Sequence, residues 1–390
     1  MNNKNIKFLF NLSIFVLLCW GPHAWFTWQW DGMENVAMMA LYGLFALIAF
    51  AYMRAQKIEF KAKFTLILVF LLFLFGTYMS KIGMTTIPLV FLQIFPLYVL
   101  LSDNEGIDEH VHFLNKALCV LFVPGLIIHV VFLLGASFPS VPIQYKDNLN
   151  YIFFNYFVDV VPVVNEGTYR FQSVFLEPGY LGTLLAFMLY ANRYDFKKWP
   201  VRIMVIALLF SFSLAGYITT VFGYLMCSYS QGKNSRRYIS FVALLLVLYY
   251  GSQLYNDGDN TINNLIVERL QLDDEVGIAG NNRFAENTRN NFEYYMESGG
   301  LLFGVEGLEE SDYAGAGYMR YFLAYGIISA VLFLIMYIIL GRICVNKKYA
   351  WGFIVLICIT FLQAAYPSSY SWLIPFLLGL KYENKLKLTS

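Results

Sequence analysis

Long apolar stretches separated by short polar ones recur along the whole chain. Two of them read NVAMMALYGLFALIAFAYM over 35–53 and RYFLAYGIISAVLFLIMYIIL over 320–340. Each is long enough to cross a hydrocarbon layer about 30 Å thick as an α-helix. The pattern predicts an all-α polytopic integral membrane protein of about twelve transmembrane helices, with spans near 7–21, 35–53, 64–80, 85–101, 117–136, 179–192, 201–213, 215–229, 238–255, 319–341, 350–366 and 370–381.

Composition supports the same class. The chain is 58% hydrophobic and 14% charged, with a mean hydropathy of +0.56, whereas soluble domains carry about 25% charged residues. The first apolar run follows two lysines, as in a signal peptide, but no small-residue cleavage site comes after it, so we interpret it as a first transmembrane helix. The five cysteines show no CxxC spacing, which argues against structural disulfides and zinc sites.

The distribution of basic residues fixes the expected topology. Residues 201–229 are too long for one span and short for two, but two spans put most lysines and arginines on one face, as the positive-inside rule requires. Both termini are then cytoplasmic, and Ala215-Gly216-Tyr217 is expected to form the tight turn between the two spans. Seven of the 27 basic residues fall outside: Lys81, Lys146, Arg170, Arg269, Arg283, Arg289 and Arg320.

Two long loops, 137–178 and 256–318, are predicted on the outer face of a single membrane domain covering 1–390. Long loops in a compact protein are usually functional. The second loop contains thirteen acidic residues and only three basic ones, Arg269, Arg283 and Arg289. Within it, residues 281–298 place Phe284, Phe292 and Tyr295 at helical spacing, which predicts a short amphipathic helix lying on the membrane or capping a cavity.

Histidines give only weak signals of chemistry. His110 and His112 lie in the stretch DEHVHFLNK, which we expect to be an inside loop, and two ligands without convergent partners are poor evidence for a metal site. His129 falls within the fifth predicted span, where a packed, hydrogen-bonded histidine and a proton relay are both possible. The motifs of nucleotide-binding loops, HExxH metalloproteases and GxSxG hydrolases are absent from the sequence.

Arg170 and Glu177 stand out in the stretch TYRFQSVFLEPGYLG over 168–182. A charge deep in a bilayer is costly, so the pair must lie outside the hydrocarbon or line a polar cavity. The Arg170 guanidinium could bind a phosphate bidentately or reach toward lipid headgroups. Glu177 precedes Pro178, a residue typical of the first helical turn, so its carboxylate could cap a helix or act as an acid or base.

These motifs together resemble those of bacterial O-antigen and capsular polysaccharide polymerases of the Wzy type, within the O-antigen polymerase and ligase superfamily. The segment TYRFQSVFLEPGYLGTLLAFML resembles the arginine-bearing entry to a short helix in that family. The following SFSLAGYITTVFGYL resembles its serine-bearing helix hairpin. Residues 299–333 resemble the second motif, with a G-x-G turn, a polar residue and an aromatic-rich helix ending in Gly-Ile. Where many ligases carry a His-Asn pair this chain has Gly315-Ala316, so a histidine base cannot be carried over.

The resemblance implies a GT-C-like membrane glycosyltransferase of the bacterial cytoplasmic (inner) membrane, with its active site facing the periplasm. It would join undecaprenyl-pyrophosphate-linked repeat units of lipopolysaccharide or capsule and release undecaprenyl pyrophosphate. Its expected partners are a lipid-linked glycan donor and acceptor, membrane lipids, a chain-length regulator and a flippase. No nucleic acid, cofactor or metal is expected.

Residue roles follow from what a pyrophosphate leaving group and an acceptor hydroxyl require. Arg170 and Arg283 are expected to neutralise the pyrophosphates, and Glu177 or Asp312 to act as the base. Further substrate contacts are expected from Arg289, Arg269, Tyr169, Tyr313, Tyr318 and Arg320, the aromatics stacking on sugar rings, with Phe171 another such ring.

Other functions remain open at the level of sequence. A lipid-linked oligosaccharide flippase or other transporter would also use many spans and cavity arginines. A ligase would transfer the finished glycan to lipid A core or protein, and a receptor or structural protein would need none of this chemistry. Two dissimilar halves and two long loops on one face favour the polymerase over the flippase.

Overall fold

The helices follow the apolar stretches of the sequence. A computed structural model describes residues 3–21, 25–27, 33–59, 65–72, 74, 86–136, 138–140, 142–144, 152–163, 169–232, 247, 249–260, 263–268, 272–273, 277–278, 286–306, 317–343, 347–363 and 370–382. The main helices of this part are α1 (Asn3–Trp20), α2 (Glu34–Ala55), α3 (Thr86–Ser102), α4 (Ile107–Leu133), α5 (Pro178–Ala191), α6 (Trp199–Ser211), α7 (Leu214–Ser230), α8 (Glu286–Glu297), α9 (Tyr318–Gly341), α10 (Lys347–Gln363) and α11 (Leu373–Lys381). Residues 65–72 and 249–254 are also helical.

Three helical stretches in the described residues are long and apolar enough to cross a membrane: Val36–Ala55, Ile107–Leu133 and Tyr318–Gly341. Shorter apolar helices accompany them, including Pro88–Ser102, Pro178–Ala191 and Trp199–Ser211. The prediction of a mostly helical, membrane-associated protein is confirmed in this form. Twelve spans and their orientation stay predictions.

The first long loop contains a sheet, which corrects the all-α expectation. Strands β1 (Pro142–Gln144), β2 (Ile152–Asn155) and β3 (Val160–Pro162) pair antiparallel in the order β1-β2-β3. In the second loop β4 (Leu272–Asp273) pairs antiparallel with β5 (Gly277–Ile278). The runs that form β2 and β3 are rich in Ile, Phe and Val, which fit a pleated, half-buried surface.

Helix α4 begins ten residues earlier than the predicted span 117–136, so the placement of DEHVHFLNK in a loop is wrong. Asp108 and Glu109 lie in the first helical turn, where carboxylates interact favourably with the positive end of the helix dipole. Gly135 follows the helix with a φ of +79°, the left-handed conformation that commonly ends helices at glycine.

The stretch 201–229 forms two helices, as predicted, but the turn between them lies earlier than Ala215-Gly216-Tyr217. Helix α6 ends at Ser211, Phe212 adopts a left-handed conformation, and Ser213 is the N-cap of α7. The Ser213 hydroxyl accepts a hydrogen bond from the Gly216 backbone N–H at 3.1 Å, which satisfies one of the free donors of the first turn. Gly216 is therefore inside α7, where it serves packing. We call residues 211–213 the α6–α7 elbow.

Helix α9 is broken at Gly326, whose φ of 83° and ψ of 164° are not helical. A Cβ at Gly326 would lie 2.5 Å from the carbonyl oxygen of Leu302, and one at Gly304 would lie 2.8 Å from that of Ala324. The segment after α8 thus packs its backbone directly against the break. The Val305 N–H donates to the Leu323 carbonyl at 2.8 Å, which satisfies one of the groups that the break releases.

The predicted amphipathic helix of the second loop is present as α8. Phe292 is buried in a small cluster with Leu301 and Leu323, and Tyr295 packs against that cluster. Phe284 lies outside the described residues. The helix therefore packs its apolar face on the first half of α9.

Candidate functional site

The segment 169–177 crosses the interior of the protein instead of running over its surface. Phe171, Gln172, Ser173, Val174 and Phe175 are all almost completely buried. Buried loops are rare because their backbone polar groups need partners. We call residues 169–177 the buried segment.

Neighbouring elements supply those backbone partners. The Phe171 N–H donates to the Phe210 carbonyl at 2.9 Å, and the Val160 N–H donates to the Ser173 carbonyl at 2.8 Å. The Phe175 N–H donates back to Gln172 at 3.0 Å, which forms a turn. The buried segment is thus fixed between α6 on one side and the three-stranded sheet on the other.

Side chains of α4 pack against the same segment. The Phe171 ring lies 5.5 Å from that of His129 and 6.3 Å from that of Phe122, both on α4. Gly125, between them, makes this approach possible, since a Cβ there would lie 2.9 Å from the Val158 carbonyl oxygen and 3.3 Å from the Phe171 ring. His129 is therefore a packed histidine, although its Nε2 has no hydrogen-bond partner among the described residues.

Arg170 is anchored on the elbow between α6 and α7. Its Nε–H donates to the Ser211 carbonyl at 3.1 Å, and an Nη2–H donates to the Phe212 carbonyl at 2.8 Å. These carbonyls form the negative end of the α6 dipole, which favours a cation. The side chain is partly buried. The protein, more than lipid headgroups, therefore fixes the direction of this guanidinium.

Glu177 occupies the N-cap position of α5 and Pro178 the first helical turn, as the Glu-Pro pair predicts. The backbone carbonyl of Glu177 accepts from the N–H groups of Tyr180 at 3.1 Å and Leu181 at 3.3 Å. Its carboxylate makes no capping hydrogen bond. The interpretation of this carboxylate as a helix cap is therefore wrong, and an acid or base role stays a hypothesis.

The motif that contains Arg170 and the serine-bearing hairpin meet at a close crossing of α5 and α7. A Cβ at Gly182 would lie 2.5 Å from the Ser213 Cβ, and a Cβ at Gly216 would lie 2.7 Å from the Gly182 Cα. Only glycine at both positions allows the helices to approach this closely. The crossing fixes the elbow, and with it the carbonyls that hold Arg170.

The other predicted site residues lie in several places. Tyr169 packs against Phe132, with ring centroids 5.8 Å apart. Tyr318 lies 5.8 Å from the Phe292 ring in the separate cluster under α8, and Arg320 is partly buried two residues further along α9. Arg289 is on the exposed face of α8 and pairs with Glu293 at 3.3 Å. Outside the described residues lie Arg283, Asp312, Arg269 and Tyr313.

Tyr169, Arg170 and Glu177 share the buried segment but face different neighbours: Tyr169 packs against α4, Arg170 contacts the α6–α7 elbow, and Glu177 lies at the start of α5. Tyr318 packs in the cluster under α8, whereas Arg289 stays exposed. Phe171, an expected sugar-stacking ring, is part of the main core and fully buried, so that expectation is wrong. Its burial follows from the space that Gly125 leaves on α4.

Asp159 is a buried acid that sequence reasoning missed. It lies at the turn into β3, is 1% exposed, and neither carboxylate oxygen has a hydrogen-bond partner of good geometry among the described residues. Burial raises its pKa well above the usual range, and the nearby backbone N–H groups of Ser173 and Val160 offset this only in part. An acid in the stretch VDVV, with valine on both sides, was the available signal.

His110 lies in a buried hydrogen-bonded cluster with side chains of other elements. Its Nε2 lies 3.0 Å from the Asp103 carboxylate, and its Nδ1 contacts the Asn11 side-chain oxygen. The Tyr52 hydroxyl donates to the same carboxylate at 2.6 Å. His112 is exposed on another face of α4. The described residues contain no group of three or more potential metal ligands.

Comparison with known proteins identifies no relative: no protein-family model, no curated protein and no solved structure matches the chain.

Proposed function

We propose that the protein is a membrane glycosyltransferase that joins undecaprenyl-pyrophosphate-linked oligosaccharide repeat units at the outer face of the cytoplasmic membrane. In this proposal the chain has about twelve spans in a GT-C-like arrangement, with both termini cytoplasmic. The observation that supports it most directly is the guanidinium of Arg170, which two backbone carbonyls of the α6–α7 elbow hold in a fixed direction.

The proposed reaction moves a growing glycan from one lipid carrier to another. The oxygen of an acceptor sugar hydroxyl attacks the anomeric carbon of the donor glycan and forms the new glycosidic bond. The bond from that carbon to the pyrophosphate oxygen breaks, and undecaprenyl pyrophosphate leaves with the electron pair. The hydroxyl proton passes to a carboxylate, for which Glu177 and Asp312 are the candidates.

A fixed guanidinium suits the leaving group of this reaction. Negative charge develops on the pyrophosphate as the bond breaks, and donors that are already oriented stabilise it without reorganisation. An arginine can also contact phosphate oxygens with two parallel N–H groups. Removing one donor of this kind costs about 10²–10³ in rate, so Arg170→Ala is expected to abolish polymer formation.

Surface glycan length tests the proposal. The gene is deleted in the source organism, which is complemented with wild type or Arg170→Ala, and the glycan is separated by gel electrophoresis. A ladder of lengths with wild type and single repeats with Arg170→Ala is the expected result. An unchanged ladder with the variant would refute the proposed role.

Arg193 provides a matched control, because its Nη2 also donates to two backbone carbonyls, those of Gly379 at 2.8 Å and Tyr382 at 3.2 Å. Arg193→Ala therefore removes similar structural bonds far from the buried segment. Polymer per amount of membrane protein should fall with Arg170→Ala and not with Arg193→Ala. An equal fall in both would assign Arg170 a structural role only.

The purified protein separates the remaining alternatives. Supplied with lipid-linked repeat units in detergent, a polymerase lengthens the glycan without a membrane potential. A flippase leaves the glycan length unchanged, and a ligase requires lipid A core or a protein acceptor. Either of the latter results overturns the proposal.

A further inference from the structure

A basic and aromatic surface lies where the loop after α5 meets the first turns of α4 and α6. The loop stretch Phe196-Lys197-Lys198-Trp199 leads into α6, and the exposed side chains here are those of Phe196, Lys197, Trp199 and Arg202, together with His112 and Lys116 of α4. We call these six residues the FKW surface. It takes no part in the proposed reaction.

The two parts of this surface are close in space. The side-chain amides of Asn115 on α4 and Asn192 at the start of the loop donate hydrogen bonds to each other at 2.7 and 3.0 Å, which places the first turns of α4 beside the loop. Helices α4 and α6 also pack along each other. His112 and Lys116 are four residues apart and therefore share one face of α4. The FKW surface is thus continuous across two elements.

The loop is held in one conformation by its own hydrogen bonds. The Arg202 Nε–H donates to the Phe196 carbonyl at 2.6 Å, and the Lys198 N–H donates to the Asp195 carbonyl at 3.0 Å. The Lys198 ammonium contacts the Tyr382 hydroxyl, so that side chain points back to the protein. The surface is therefore preformed.

Two aromatic side chains are exposed beside these cations. Trp199 is 61% exposed and Phe196 47% exposed. Tryptophan is enriched at the level of lipid headgroups, where its ring is apolar and its N–H remains wet. An exposed tryptophan beside three exposed cations is the pattern expected of a surface that contacts charged lipids.

The length of α4 places the surface at that level. Its 27 residues extend about 40 Å at 1.5 Å per residue, roughly 10 Å more than the hydrocarbon thickness. The Asp, Glu and Lys residues of α4 are all in its first three turns, so this end protrudes and Lys116 lies near the headgroups. Glu109, the acid on the same side of α4, is paired with Lys7 and so does not cancel the positive charge.

We propose that the FKW surface binds the headgroups of anionic phospholipids, with Lys116, Lys197 and Arg202 contacting the phosphates and Trp199 entering the interface. Each such cation near an anionic membrane surface favours binding about fivefold. Losing three therefore weakens the preference for anionic over zwitterionic lipid by up to about a hundredfold.

Tryptophan quenching tests this on the full chain. The purified protein is placed in mixed micelles with phosphatidylglycerol or phosphatidylcholine brominated on the acyl chains, and the signal of Trp199 is obtained by subtracting Trp199→Phe. Stronger quenching by the brominated phosphatidylglycerol, weakened by 0.5 M salt, is the expected result. Equal quenching by the two lipids overturns the proposal.

Two triple variants provide the comparison. The triple variant Lys116→Ala, Lys197→Ala, Arg202→Ala should lose the preference for phosphatidylglycerol. A control variant removes three other exposed basic residues and should keep the preference; its substitutions are Arg54→Ala, Lys57→Ala and Arg342→Ala. Loss of the preference in both, or retention in both, refutes the assignment. Inorganic phosphate is also compared with chloride at equal ionic strength. If phosphate displaces the lipid more than chloride does, the surface is a site for free phosphate and the lipid proposal is overturned.

Discussion

The close crossing of α5 and α7 yields a sharp prediction for Gly216→Ala. The added Cβ would lie 2.7 Å from both the Cα and the carbonyl carbon of Gly182 and 2.9 Å from its carbonyl oxygen. All three are backbone atoms of α5, a helix whose residues from Gly179 to Ala191 are buried. Neither helix can yield without disturbing its own packing, so the substitution must push them apart.

The magnitude follows from two opposing effects. Overpacking a well-packed core costs about 1–3 kcal/mol, and replacing glycine by alanine inside a helix returns up to about 1 kcal/mol. Because all three contacts are to backbone atoms, the cost should be near the upper end, and Gly216→Ala should lower the free energy of unfolding by about 2 kcal/mol. Gly43→Ala is the matched control, because nothing lies within 4 Å of a Cβ added there in α2. It should be neutral or slightly stabilising.

The cysteines of the chain provide the assay. Cys19 and Cys227 are buried, and Cys227 lies on α7 with Gly216. In a background where the other three cysteines are serine, a maleimide dye reacts only as the detergent-solubilised protein unfolds on heating. The midpoint should fall by a few degrees for Gly216→Ala and not for Gly43→Ala. A midpoint for Gly216→Ala at or above that of wild type would refute the close approach of the two backbones.

Two aspartates should give stability changes with opposite pH dependence, measured from pH 2 to 8 as the midpoint of thermal unfolding followed by tryptophan fluorescence. Burial raises the pKa of Asp159 in the folded state. As pH rises above 3.8, this carboxyl ionises in the unfolded chain first, and folding becomes less favourable. Asp159→Asn should therefore raise the melting midpoint at pH 7 and lose that advantage near pH 4. Burial raises the pKa of Asp103, but hydrogen bonds from His110, Tyr52 and the Gly106 N–H outweigh it and bring the pKa below its usual range. Its contribution is then present above pH 3.8 and lost as pH falls further, so Asp103→Asn should destabilise by about 3–5 kcal/mol at pH 7 and less in acid. The same pH profile for both variants would contradict these environments.

Residues within one or two turns of a helix end predict where some helices begin and how many there are. The start of α5 follows from Glu177-Pro178, since proline lacks the N–H that a first turn leaves unpaired and already has a helical φ. The presence of two helices in 201–229 follows from charge bias and length. The position of the turn between them does not follow from sequence, because a glycine in Ala215-Gly216-Tyr217 is typical of a turn, whereas Gly216 accommodates the close approach of Gly182 from another helix.

The sheet, the burial of Phe171 and the anchoring of Arg170 depend on contacts between distant parts of the chain. Strands of two to four residues are too short to show an alternating pattern, and the sheet gains its stability from packing over Trp25 and Leu176. The burial of Phe171 depends on Gly125 and His129 of α4, which no pattern within the motif reveals. Arg170 was recognised as a candidate from the sequence, but its anchoring on the α6–α7 elbow required the fold.

The break at Gly326 changes how much of the bilayer α9 can fill. Composition alone presents Tyr318–Gly341 as one uninterrupted crossing, but the straight part after the break, residues 327–341, extends only about 22 Å at 1.5 Å per residue. That is shorter than a hydrocarbon layer of about 30 Å. We expect the lipids around this helix to compress, or the first half to tilt into the layer and carry Arg320 toward the headgroups. A mismatch of this size predicts that the stability of the protein depends on the acyl chain length of the surrounding lipid.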